Sequence, residues 1–180
     1  MSRKVILIVM ALIFGATLFV NCDSVKKSKP RTWIEALDEN DITLLSKPIR
    51  EIRKHFDTAQ QLQKKGQKNK ADAEMKLARQ GIEQLESYYF PLMNAKLRLA
   101  TSFKQVERNE IANASEKMNQ VTADLFIAGE KAPADVKKEL QSLISDLEAF
   151  EKELNQPGLK SQESFIKFIQ RIENLMSKTK

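Results

Sequence analysis

Residues 70–107 read KADAEMKLARQGIEQLESYYFPLMNAKLRLATSFKQVE, and whether they form one helix or two decides the topology of the chain. Ala71, Met75, Ala78, Ile82, Leu85 and Tyr89 recur in alternating steps of four and three, the spacing that lines one face of a helix. Pro91 interrupts the pattern. The residues before it, Tyr88, Tyr89 and Phe90, are poor helix caps, so a new helix would start there without the usual signals. The stretch therefore reads as one helix kinked at Pro91, where the ring meets the carbonyl of Ser87. Its 38 residues would reach ~57 Å. Helices about half as long, before and after it, fit antiparallel on its two halves.

The same periodicity recurs outward from this stretch. One stripe runs Leu45, Ile49, Ile52, Phe56 and Ala59; another runs Ile111, Ala114, Met118, Val121, Leu125 and Ala128. Val136, Leu140, Leu143, Leu147, Phe150 and Leu154 make a fourth, and Phe165, Ile169, Ile172 and Met176 a fifth. No stretch alternates with the two-residue period of a strand. The expected fold is all-α, an antiparallel bundle of about five helices with one long Pro-kinked member. Ser46 is expected to cap the first helix with Pro48 in its first turn, Gly66 to end it, and Asn109 to cap the third. Gly129 and Pro133 mark the next link. Asn155, Pro157 and Gly158 form the turn before Ser161 caps the last helix. Upstream, Trp33, Ile34, Ala36 and Leu37 suggest a short helical turn plugging one end of the bundle.

The N-terminus carries a different signal. Arg3 and Lys4 precede an uncharged apolar run of 16 residues, Val5 to Val20, and Cys22, the only cysteine, stands just beyond it. At ~1.5 Å per residue such a run falls short of a hydrocarbon core of ~30 Å and suits a cleaved signal better than a permanent anchor. Leu18, Phe19, Val20, Asn21 and Cys22 resemble a lipobox, the recognition motif of bacterial lipoproteins. Phe19 and Asn21 stand where the common pattern has Leu and a small residue, which resembles the relaxed form in spirochaete lipoproteins. The resemblance implies that Cys22 becomes the lipidated first residue of the mature chain. The organisation is then a signal peptide over 1–21, a basic tether over 22–32 and a helical bundle over 33–180. The implied place is the cell membrane or outer membrane, facing the periplasm or the cell surface. Asp23 resembles the inner-membrane retention signal of enteric lipoproteins, a code that is not general, so the membrane stays open.

Charge is distributed to match. The formal net charge is +6, and loss of Arg3 and Lys4 leaves +4. Asp23 to Arg31 holds Lys26, Lys27, Lys29 and Arg31 against one acid, so residues 32–180 carry about +1. Nucleic-acid binders concentrate a larger basic excess, so no nucleic-acid partner is expected. A basic tether beside a lipid anchor would lie near anionic headgroups, at roughly 1 kcal/mol per cation. The 159 residues from 22 to 180 suffice for one domain with a core, and with its one cysteine acylated no disulfide staples it.

Few residues suggest chemistry. Tyr88, Tyr89 and Phe90 are the candidate interaction surface, with Tyr89 on the core stripe and its neighbours flanking it. His55, the sole histidine, is the candidate haem ligand, with a methionine such as Met93 or Met118 as second ligand, an arrangement resembling the b-type four-helix cytochromes, and the commoner role for a lone bundle histidine is a packed or half-exposed imidazole. No CxxCH, GxSxG or glycine-rich phosphate loop occurs. Glu83 with Glu86, and Glu148 with Glu151, read as solvated charge networks. No cofactor and no metal site are expected, and no enzyme activity.

Two further resemblances are partial. Gly66 and Ala78, twelve apart, resemble the small residues of tetratricopeptide repeats, but the shift that aligns Ala71, Ala73 and Leu77 with Ala112, Ala114 and Met118 is 41 rather than ~34, and the repeat's aromatic positions are missing. A helical lipoprotein ending in Lys180 is similar to Braun's lipoprotein, whose terminal lysine joins peptidoglycan. The expected role is a lipid-anchored envelope module that binds a protein partner. The alternatives are a small-ligand or haem carrier using the bundle interior and a repeat-type helical adaptor.

Overall fold

The computed structural model describes residues 39–154 and 161–178. Among these every regular element is helical. Helix α1 is Glu39–Lys64. Helix α2 runs without a break through Lys68–Gln84, a π turn at Leu85–Tyr89, and Phe90–Glu107. Helices α3, α4 and α5 are Ile111–Glu130, Ala134–Glu153 and Ser161–Lys178. Thr32–Lys180 forms a compact unit of its own. Cys22, the tether, the Trp33–Leu37 segment and the Asn155–Gly158 turn lie outside the described residues.

The single long helix is present, and the π turn shows how it tolerates proline. Gln84, Leu85, Tyr89 and Phe90 all keep right-handed helical backbone angles, and the Phe90 N–H donates to the Leu85 carbonyl five residues back. Pro91 has no N–H to give, and the widened turn just ahead of it makes room for the ring. The extra residue also rotates the side-chain phase. Before the turn only Ala71 and Ala78 are fully buried, a narrow stripe facing α1. After it Leu92, Met93, Ala95, Lys96, Leu99, Ala100 and Phe103 are buried over a broad arc.

That difference follows from the neighbours. Lys68–Gln84 packs chiefly on α1 and makes a two-helix arm, whereas Phe90–Glu107 packs on α3 and α5. Helix α4 closes the bundle against α3 and α5. Every residue of the α4 and α5 stripes is buried, and Phe103, Phe150, Phe165 and Phe168 form an edge-packed group with ring centroids 5.3 to 5.6 Å apart.

Turn chemistry corrects two expected boundaries. Helix α1 begins at Glu39, so Ser46 and Pro48 lie inside it, and the Ser46 hydroxyl donates back to the Thr43 carbonyl at 2.8 Å. Asn109 does not cap α3. It ends α2 in left-handed geometry at φ 60, with its N–H on the Val106 carbonyl and the Glu110 N–H on the Gln105 carbonyl. Gly66 ends α1 with the same pair of bonds, to Gln63 and from Gln67 to Leu62, at φ 71. Both are Schellman stops, for which glycine and asparagine are suited. Gly129 lies within α3, and Pro133 occupies the N-cap position of α4.

Candidate functional site

The core of the bundle holds a charged cluster centred on Lys96. Tyr88, Leu92 and Lys96 are spaced by four, so they share a face of α2, and that face meets α5. Lys96 is 0% exposed, with its Nζ 2.6 Å from Asp41 Oδ1 and 2.8 Å from Glu173 Oε1. Asp41 belongs to the first turn of α1, where the helix dipole favours an anion. Glu173 comes from α5, between Ile172 and Leu175. Three helices that are far apart in sequence are therefore joined at one ammonium group. The neighbouring Tyr88 hydroxyl donates to the Leu175 carbonyl at 2.7 Å, a second polar link from α2 to α5.

Burial pushes the Tyr88 phenol well above its ordinary value, with the nearby Tyr89, Glu139 and Asp135 acting in the same direction. A second charged pair lies on the opposite side of α2, where Arg98 Nε is 2.9 Å from Asp124 Oδ2 of α3. The contact is one of charge, because the Nε–H does not point at that oxygen. Desolvation raises the Asp124 carboxyl, and Arg98 lowers it by less. Arg98 also reaches Gln120, which accepts from Lys117 at 3.2 Å. Ser102 adds a buried hydroxyl donating to the Ala114 carbonyl at 3.2 Å.

The expected site residues fall differently. Tyr88 and Tyr89 are 3% and 4% exposed, with rings at 88° to each other, and Phe90 is half-buried. They make no exposed anchor patch. Tyr88 lies on the face it shares with Leu92 and Lys96, which meets α5, and its hydroxyl reaches the Leu175 carbonyl. His55 lies on the arm, its Nδ1 2.7 Å from Glu74 Oε2. Met93 is 19 residues from Glu74 along the same helix, ~28 Å at 1.5 Å per residue, and Met118 packs in the bundle core. The histidine and the methionines are not brought together as axial ligands. Glu83, Glu86 and Glu148 are exposed, while Glu151 accepts from Ser115 and Asn119 of α3.

A model of the YfdX protein family matches residues 19–131, more than half of the sequence. The chain belongs to the YfdX family. Comparison with curated proteins and with solved structures gave no match. The YfdX match ends after α3, so it includes Asp41 and Lys96 but not Glu173 or Leu175, which α5 supplies. In this YfdX protein the last helix completes the buried cluster. Reading charges as solvated missed Lys96. The available signal was its place in a stripe of Tyr88, Leu92, Leu99 and Phe103, where a cation has no water to face. Chemically the enclosed ammonium is a joint. It fixes three helices and offers no open face to a substrate. Among the described residues no helix is long and apolar enough to cross a membrane, and no group of three or more His, Cys, Asp or Glu side chains is placed to hold a metal.

Proposed function

We propose that this YfdX protein is a lipid-anchored component of the bacterial cell envelope. Its helical bundle acts as a non-enzymatic structural or protein-interaction module. The observation that carries the reading is Cys22, the single cysteine, placed directly after a charged start and an uncharged apolar run of 16 residues. An acyl chain on Cys22 holds the protein to the cell membrane or outer membrane, and the basic residues from Lys26 to Arg31 strengthen that hold on an anionic leaflet. The polar groups of the bundle support the interaction role. Lys96 pairs with Asp41 and Glu173, Asp124 with Arg98, and the Tyr88 hydroxyl with backbone, so these groups tie helix to helix as a scaffold requires. The partner is an envelope protein met on a helix face.

Two measurements test this. In the native host the protein incorporates palmitate and enters the detergent phase, and Cys22→Ala abolishes both; a wild type wholly in the aqueous phase contradicts the anchor. Crosslinking in native membranes recovers an envelope protein at a fixed stoichiometry. A catalytic turnover attributable to the purified bundle would contradict the module.

A further inference from the structure

The near-neutral charge of the bundle conceals a division. Lys64, Lys65, Lys68 and Lys70 surround the turn between α1 and α2, and no acid lies between Asp57 and Asp72. The four are exposed, and none forms an ion pair among the described residues. Outside residues 61–70, the stretch 32–180 holds 20 basic and 23 acidic side chains, a net −3, against +4 in those ten residues. The positive excess of the folded unit is therefore gathered at the tip of the arm. Helix α1, 26 residues long, sets that tip ~39 Å from the start of the helix.

We infer that the arm tip docks on an anionic phospholipid surface. The chemistry of the tip selects this partner. It has no arginine, so it lacks the planar fork that grips a phosphate in two bonds, and its lysines act as point charges on flexible stems. No aromatic residue occurs from Asp57 to Ser87, so no base is stacked as a nucleic-acid groove would require. Only half-buried Leu62 is a large apolar residue there, so the tip lacks the anchors of a protein interface. A convex knob of lysines held by a Schellman turn fits a flat field of headgroups, which needs charge density and no shape. The inference rests on these four lysines and is independent of acylation at Cys22.

The Thr32–Lys180 unit, free of the apolar segment and the tether, is the reagent, and far-ultraviolet circular dichroism confirms its helicity. It is sedimented with vesicles of phosphatidylcholine alone or mixed with phosphatidylglycerol. Binding to the mixed vesicles alone is expected, weakening as salt rises. Each Lys→Gln change at the four positions lowers the partition coefficient about fivefold, and the fourfold Lys→Arg variant keeps it. Equal binding to neutral vesicles, or binding unchanged in the fourfold Lys→Gln variant, overturns the inference. So does tip-dependent binding to duplex DNA without any binding to vesicles.

Discussion

Tyr88 has its ring in the core and its hydroxyl on the Leu175 carbonyl, so one side chain joins two helices by packing and by hydrogen bond. Tyr88→Phe keeps the packing and leaves that carbonyl without this donor, at an expected cost of about 1 kcal/mol near neutral pH. The pH dependence has a definite sign. Burial raises the folded phenol above the ordinary 10.0 of an unfolded tyrosine. Its contribution is thus full below pH 10.0 and is lost as pH climbs toward the folded value. Urea unfolding from pH 7 to pH 11 should show the gap between Tyr88→Phe and wild type closing above pH 10.0. A gap that widens there would contradict the burial. Heptad counting placed Tyr89 on the core correctly and Tyr88 wrongly, because it followed the stripe that precedes Pro91, while Tyr88 belongs with Leu92 and Lys96 to the stripe that follows.

At the scale of elements, all five apolar stripes were legible, since each is a run of apolar residues whose spacing only a helix can use. Helix starts were less legible. Ser46 and Pro48 resemble a cap and a first turn, yet the packing of Leu44 and Leu45 on the core and the ion pair of Asp41 with Lys96 extend α1 backward past them. Asn109 suits either end of a helix, and the left-handed stop after Val106 claimed it. Gly81 gave no local sign of its role. In a helix interior Gly→Ala ordinarily gains about 0.5–1 kcal/mol. Here an added Cβ would meet Ile52 Cγ1 at 2.6 Å, where α1 and α2 approach closely. Gly81→Ala is therefore expected to destabilise the protein by about 1–3 kcal/mol. In an Ile52→Ala background the same change should become neutral or favourable. A penalty that persists in the double variant would show that the close approach is not its cause.

For the molecule as a whole, the Lys96 cluster is the joint between the arm and the bundle, because it ties the first turn of α1 to α2 and α5. Lys96→Met removes the cation that two carboxylates share in a water-poor site and should cost about 3–5 kcal/mol. That is a large share of the stability of a domain this size. Replacing Asp41, Lys96 and Glu173 together with Leu, Met and Leu should recover most of the loss by chemical denaturation. A triple variant as unstable as the single one would mean that Lys96 acts through packing alone. Long-range burial of this kind is not written in local sequence, since it depends on which turn of α1 meets which turn of α5. The division of charge between arm tip and bundle was present in the residue counts, but only folding shows that its four lysines face solvent together. The placement of all this at a bacterial membrane depends on the fate of the N-terminus. Intact-mass and peptide analysis of the protein isolated from its native host tests that most directly. The account predicts a chain beginning at Cys22 that carries acyl groups. A retained Met1 with an unmodified Cys22 thiol would contradict it.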